Sequence, residues 1–320
     1  MKKKTLWIGI GLSLFVIGYV LLKLDWREVS KILLTLNWLW ILLAFFFYLL
    51  SYFFRTHRFR RLLSFEEIPF HLLYGLTGLY GMYLYLIPAK FGEATFPILV
   101  KRRLGINFST STGSLIVARI FDFLTIALIL PAALFIYWDL VPVNIRLISL
   151  FFCVLVYFSY GVFYWLMINP ARILHKLEIN SSTKPRMKAI KEFLKGVFEE
   201  TQQVHKQKLY WPLLLITLCI WVCLNLNSFL ITLALGYDFN FFQIVVVSII
   251  MVPVTLFPFQ GFANLGAHEV GWVSAFTLFG YPYLEALSIA VSSHIVYVFF
   301  VLILGLIGSL AVLDRRNAEQ

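Results

Sequence analysis

Long apolar runs separated by short charged stretches dominate the chain. A membrane-spanning helix needs about 20 predominantly apolar residues. Six runs read as such spans, at 5–24, 38–54, 110–137, 145–168, 210–235 and 284–312. Two further runs, 68–88 and 242–257, each end in a Pro/Gly-rich polar break, and each resumes as a shorter apolar piece, at 94–100 and 270–280. That pattern predicts two broken or re-entrant helix pairs. Irregular backbone at membrane depth is tolerated only where protein or a water-filled cavity covers it.

One hydrophilic stretch, 170–209, interrupts the apolar pattern for long enough to hold its own element. Met187, Ile190, Phe193, Leu194, Val197, Phe198 and Val204 recur there at helical spacing, Pro185 stands at the expected start, and Lys184, Arg186, Lys188, Lys191 and Lys195 supply a basic face. The reading is an amphipathic helix over 185–207, lying on anionic inner-leaflet lipid and linking two parts of the bundle. The N-terminal run is longer than a signal-peptide core and no small-residue cleavage site follows it, so it reads as a retained first helix.

Composition agrees with this class. Of the 320 residues, 61% are hydrophobic and only 13% charged, against about 25% charged in a soluble domain; mean hydropathy is +0.85. The net charge of +11 does not indicate nucleic acid, because the basic residues cluster at the ends of apolar runs. With the N-terminus inside, 21 of the 27 Lys and Arg fall on the cytoplasmic side, including Arg55, Arg58, Arg60 and Arg61, and four fall outside. That bias predicts a multi-pass protein of the cytoplasmic membrane with both termini cytoplasmic. Trp38, Trp40, Trp138, Trp165 and Trp211 fall near span ends, where aromatic anchors belong.

The topology exposes a repeat. Trp38 opens a span, a broken pair follows, and the next span carries Arg119; Trp211 opens a span of opposite direction, a broken pair follows, and the next span carries His294. Trp38 to Trp211, Glu93 to Glu269 and Arg119 to His294 are separated by 173, 176 and 175 residues. Two units of opposite orientation form an inverted repeat, the plan on which many secondary transporters place their site. The boundaries are a first helix and external loop at 1–37, repeat one at 38–138, an extra span and cytoplasmic linker at 139–209, repeat two at 210–314 and a tail at 315–320. The fold class is an all-α integral membrane protein with about six full spans, two re-entrant pairs and two inverted repeats.

Ionisable residues inside apolar sequence are the candidate chemistry, since charge at membrane depth is costly and usually faces a protein interior or wet cavity. Glu93 can bind a cationic group, take up a proton, pair with Arg119 or cap the returning half-helix. Arg119 and Asp122 are i,i+3 on one helix, close enough to pair, and a guanidinium can also hold a lipid phosphate bidentately. Glu269 mirrors Glu93, beside Gly261, Gly266 and His268; His294 mirrors Arg119. Lys90, Glu93, Arg119, Asp122, Glu269 and His294 are therefore the candidate binding and translocation residues. Gly75, Gly78 and Gly81 mark a small-residue face for helix packing. Cys153, Cys219 and Cys223 read as packing residues. The sequence carries no Ser/His/Asp order, no metal-spaced set, no Walker loop and no Asp-rich phosphotransferase motif, so neither an enzyme nor a cofactor or metal is expected.

Pro88-Ala89-Lys90-Phe91-Gly92-Glu93, then Ala118-Arg119-Ile120-Phe121-Asp122, then Pro258, Gly261, Gly266 and Glu269 resemble, in order and spacing, the flippase-like transmembrane domain of lysylphosphatidylglycerol synthases. The resemblance covers nearly the whole chain. It implies movement of an anionic phospholipid or lipid-linked molecule between leaflets, with membrane lipid as substrate. The chain ends at Gln320, without the aminoacyl-transferase domain of the synthases, so lipid aminoacylation is not expected. Lys90 and His294 stand where the family frequently has Arg, and Ala118 where an acidic residue often precedes Arg119; these departures bear on head-group identity. The competing expectations are a membrane-embedded transferase acting on a lipid-linked substrate, or a membrane scaffold for a soluble lipid-modifying enzyme. A homo-oligomer is compatible with each.

Overall fold

The computed structural model describes residues 18, 26–63, 68–88, 91–170, 185–256 and 261–318. Apart from Gly18, the expected first helix at 5–24 lies outside the described residues, and so does Lys90. Among the described residues, eleven α-helices follow in order: α1 Trp26–Leu34, α2 Trp38–Leu62, α3 Phe70–Leu86, α4 Thr95–Leu104, α5 Phe108–Ile136, α6 Val143–Ile168, α7 Pro185–Lys206, α8 Tyr210–Ala234, α9 Phe241–Leu256, α10 Ala267–Leu278 and α11 Tyr283–Ala318. Short 3-10 turns, Phe91–Ala94 and Phe262–Asn264, precede α4 and α10. Among the described residues, α2, α5, α6, α8 and residues 283–312 of α11 are long and apolar enough to cross a membrane.

Exposed apolar surface follows from that solvent. Only 11% of the apolar window of α6 is buried, and Leu147, Phe151, Val154 and Phe158 point outward. Water would expel such a face, whereas lipid tails are as apolar as leucine. Trp38 opens α2 and Trp211 is the second residue of α8, and both are exposed.

Two interfaces hold the centre. α2 packs along α8, and α3 packs along α11. The second is a glycine seam: a Cβ on Gly75 would lie 2.8 Å from Ala311 Cβ, and one on Gly308 would lie 2.5 Å from the Gly75 carbonyl oxygen. Without a hydrophobic drive between helices in lipid, such close backbone approach supplies the packing. Gly78 meets Leu304 of α11, but Gly81 faces Tyr52 of α2, so the predicted glycine face serves two neighbours.

Three features differ from the sequence reading. Residues 26–34 of the expected external loop form α1, because Val29 and Ile32 fall one turn apart and are both buried, Val29 against Leu287 and Val291 of α11 and Ile32 in the central core. Arg55, Arg58, Arg60 and Arg61 are not in a loop; α2 continues through them to Leu62. Finally, α7 begins at Pro185 as expected, but it docks on protein as well as presenting an apolar face. Gly196 meets Ser109 and Gly113 meets Glu200, while Gln202 donates to the Met167 carbonyl oxygen at 3.1 Å. Its N-terminal half keeps Met187, Ile190 and Leu194 exposed.

Candidate functional site

The break between α3 and α4 places Glu93 in a 3-10 turn, two residues before the helix proper. The side chain therefore does not cap α4. It reaches α3 and α5: Tyr80 donates its hydroxyl to Glu93 Oε2 at 2.8 Å, and Arg119 donates to Glu93 Oε1 at 2.7 Å. A second Arg119 contact runs to the Tyr80 hydroxyl oxygen at 2.9 Å. Packing fixes Tyr80, whose ring leans on Phe96, itself stacked on Phe59 at 4.0 Å.

Asp122 extends the cluster inward. It accepts from Arg119 at 3.2 Å, the pairing expected from i,i+3 spacing. Its shorter bond is to Arg58 of α2, at 2.6 Å, and Arg58 also reaches Thr217 of α8 at 3.1 Å. The side chains of Arg58 and Asp122 are 3% and 11% exposed, against 31% and 29% for Arg119 and Glu93. The cluster thus has a sealed end and an open end. Its two guanidiniums and two carboxylates balance, and guanidinium keeps its charge in any protein. Two side-chain atoms here, Nε of Arg58 and Nε of Arg119, are buried without a partner among the described residues.

The break between α9 and α10 builds a different cluster. Gly266 takes φ +86°, which a side chain disfavours, and its N–H donates to Glu269 Oε2 at 2.7 Å. Glu269, in the first turn of α10, therefore does cap its helix. Glu269 Oε1 bonds His294 Nδ1 across to α11, and His294 Nε2 meets the Ala263 carbonyl oxygen at 2.8 Å. His268 bonds Ser293 at 3.1 Å and stacks on Trp272. Glu269, His268 and His294 are all buried.

Of the six expected residues, Glu93, Arg119 and Asp122 meet in the first cluster and Glu269 and His294 in the second. Lys90 lies outside the described residues. No hydrogen bond joins the clusters among the described residues; α3 touches both, through Tyr80 and through Tyr85, whose ring stands edge-on to His294. The sequence reading missed Arg58 and Tyr80. Arg58 stands seven residues after the buried Ser51 and four before the buried Leu62, a helical stripe that carries on past the apolar run. Tyr80 carried no signal beyond one hydroxyl within apolar sequence.

Apolar helices whose outer faces need lipid, with ionisable clusters packed inside, define a multi-pass membrane protein. Residues 6–305 match the family model described as the lysylphosphatidylglycerol synthase TM region, and the chain belongs to that family. No curated protein and no solved structure matches it.

Proposed function

We propose that the protein moves an anionic phospholipid or lipid-linked molecule between the leaflets of the cytoplasmic membrane. The observation that carries this reading is the graded arginine–carboxylate cluster. Arg58 and Asp122 form a sealed anchor, while Arg119 is held by an accessible Glu93 that a phosphate can replace. Phosphate then takes the bidentate geometry that guanidinium offers, and Glu93 and Asp122 balance charge in the empty state. Lys90 is proposed to attract the head group. The exposed apolar and basic surface of α7 is proposed to rest on anionic inner-leaflet lipid.

Order of elements supports a repeat. In residues 38–136 a long helix, a half-helix, a 3-10 turn, a short helix and a long helix follow one another, and residues 210–318 give the same order. Arg119 lies eleven residues into α5 and His294 eleven residues into α11. We read these units as inverted in the membrane, with both termini cytoplasmic and α7 on the inner surface. Movement is then a rocking of one unit against the other, downhill or ion-coupled, with no covalent chemistry on the lipid.

Reconstituted vesicles with a labelled anionic lipid test the proposal. Arg119→Ala should abolish transport and leave thermal stability nearly unchanged, since Asp122 keeps Arg58. Arg119→Lys should retain part of the rate, keeping charge without the fork. Undiminished transport in Arg119→Ala, or a loss that follows thermal stability through the whole set, would refute the reading.

A further inference from the structure

We propose that His294 and Glu269 together form a proton-binding site, and that the bound proton ties the Phe262–Asn264 turn to α11. The argument begins with donors and acceptors. Nε2 of His294 faces the Ala263 carbonyl oxygen, which can only accept. That nitrogen therefore carries hydrogen. Nδ1 faces a carboxylate oxygen of Glu269. Either Nδ1 is also protonated and donates to a carboxylate, or the carboxyl is protonated and donates to Nδ1. Both descriptions place one proton between imidazole and carboxyl, and both leave the pair neutral.

Removing that proton gives the pair one negative charge and leaves one N–H for two acceptors. The remaining N–H goes to Glu269, because hydrogen bonds to an ionised acceptor are roughly twice as strong as neutral ones. Glu269 itself stays in place, held by the Gly266 N–H. The Ala263 carbonyl loses its donor. Ala263 and Asn264 both sit at positive φ, 52° and 62°, a conformation that costs a non-glycine residue energy and persists only when its surroundings enforce it. Proton release thus frees a strained turn at the break between α9 and α10.

Among the described residues, the groups that face the pair carry no fixed charge. Tyr85 of α3 stands edge-on to His294, with a buried hydroxyl that has no partner among the described residues, and Tyr48 of α2 lies within electrostatic range of Tyr85. His268 of α10 is 4.5 Å from the His294 ring, and its Nε2–H is taken by Ser293, whose own hydroxyl donates to Ala290. Tyr297 of α11 lies 5.6 Å from the His268 ring and bonds Ser228 of α8. None of these donors faces the Ala263 oxygen. The site therefore depends on its own proton. A role for that proton in driving lipid movement rests on the transport reading above; its binding does not.

Hydrogen exchange of the purified protein in detergent, over a pH series and corrected for intrinsic exchange, reads the site without any transport assay. Protection of residues 261–266 should fall about tenfold or more as the proton is lost, the effect of one broken charge-linked contact. Residues 91–94, held by Arg119, serve as the internal reference and should not change. In Glu269→Gln the amide can still accept from Gly266 and can donate to neutral His294, so protection of 261–266 should become independent of pH. A wild-type turn whose protection follows residues 91–94 at every pH would overturn the proposal even if the variant did not fold. So would a pH response in Glu269→Gln equal to that of wild type. A protein that shows the response and moves no lipid keeps the proton site and refutes the transport reading.

Discussion

Glu93 and Glu269 stand at matching places in the two halves of the chain, and they do different work. Glu93 precedes its helix, leaves the backbone alone and spends both oxygens on Tyr80 and Arg119. Glu269 enters its helix, caps it through Gly266, and has one oxygen left for His294. The partner changes the chemistry more than the carboxylate does. Arginine stays charged in any protein environment, so the first cluster is a fixed set of ion pairs. An imidazole can gain or lose a proton where a guanidinium cannot, so the second cluster can change charge without losing a residue. On the two proposals above, one half would hold an anion and the other would respond to protons.

The largest expected effect tests this contrast directly. Asp122→Ala strands Arg58, which cannot neutralise itself and is 2% exposed. Such an uncompensated buried charge costs about 3–5 kcal/mol. Glu269→Ala strands His294, which can shed a proton, so its cost should stay near that of lost hydrogen bonds, about 1–3 kcal/mol. Thermal unfolding in detergent measures both. Equal costs would break the comparison. Replacing Arg58 and Asp122 together by Met and Leu should recover most of the loss, because no charge is then left unpaired.

A second measurement asks what keeps the halves in register. The α3–α11 seam leaves no room at Gly308, whose added Cβ would meet the Gly75 carbonyl oxygen at 2.5 Å. Gly308→Val overpacks it and should cost about 1–3 kcal/mol. Gly161 of α6 has nothing within 4 Å of the same virtual atom. There Gly161→Ala should be neutral or stabilise by about 0.5–1 kcal/mol, through helix propensity. If both substitutions behave alike, close approach at the seam is not what sets the spacing of α3 and α11.

The helices and the breaks were legible because they are one-dimensional signals. Apolar run lengths gave α5, α6 and α8 to within a few residues and the start of α11 to within one, and Pro88 marked the first interruption. Glu93 with Arg119 was legible too, since ionisable groups in apolar sequence stand out. What failed needed the third dimension. Arg58 hid in a run of four arginines, where charge counting assigns a loop and only the Ser51–Arg58–Leu62 stripe shows a buried face. The division into two clusters was invisible because His294 is held by a backbone carbonyl, which no side-chain pattern reveals. The docking of α7 depended on Gly113 and Gly196, two small residues whose contacts, Glu200 and Ser109, each lie 87 residues away in sequence.

That docking provides the smallest expected effect and a third response to set beside the two clusters. Glu200 sits where α7 presses on Gly113, with the Ser114 hydroxyl as its donor at 3.4 Å. Burial pushes its carboxyl up from the ordinary 4.5 to about 7, against a weaker opposing pull from the Ser114 hydrogen bond. A raised carboxyl pKa means that the docked helix binds more protons than the undocked one between these values. Docking is therefore strongest near pH 4.5, weakens as pH rises to about 7, and is flat above. Glu200 is partly solvated, so the change should be only a few-fold in the exposure of α7. Limited proteolysis at Lys191 and Lys195 across that range would read it, and Glu200→Gln should hold α7 docked throughout. Because α7 packs on α5 a turn or so before Arg119, transport by the wild-type protein should follow the same profile if docking constrains α5. A profile that persists unchanged in Glu200→Gln would assign the pH response to the histidine half alone.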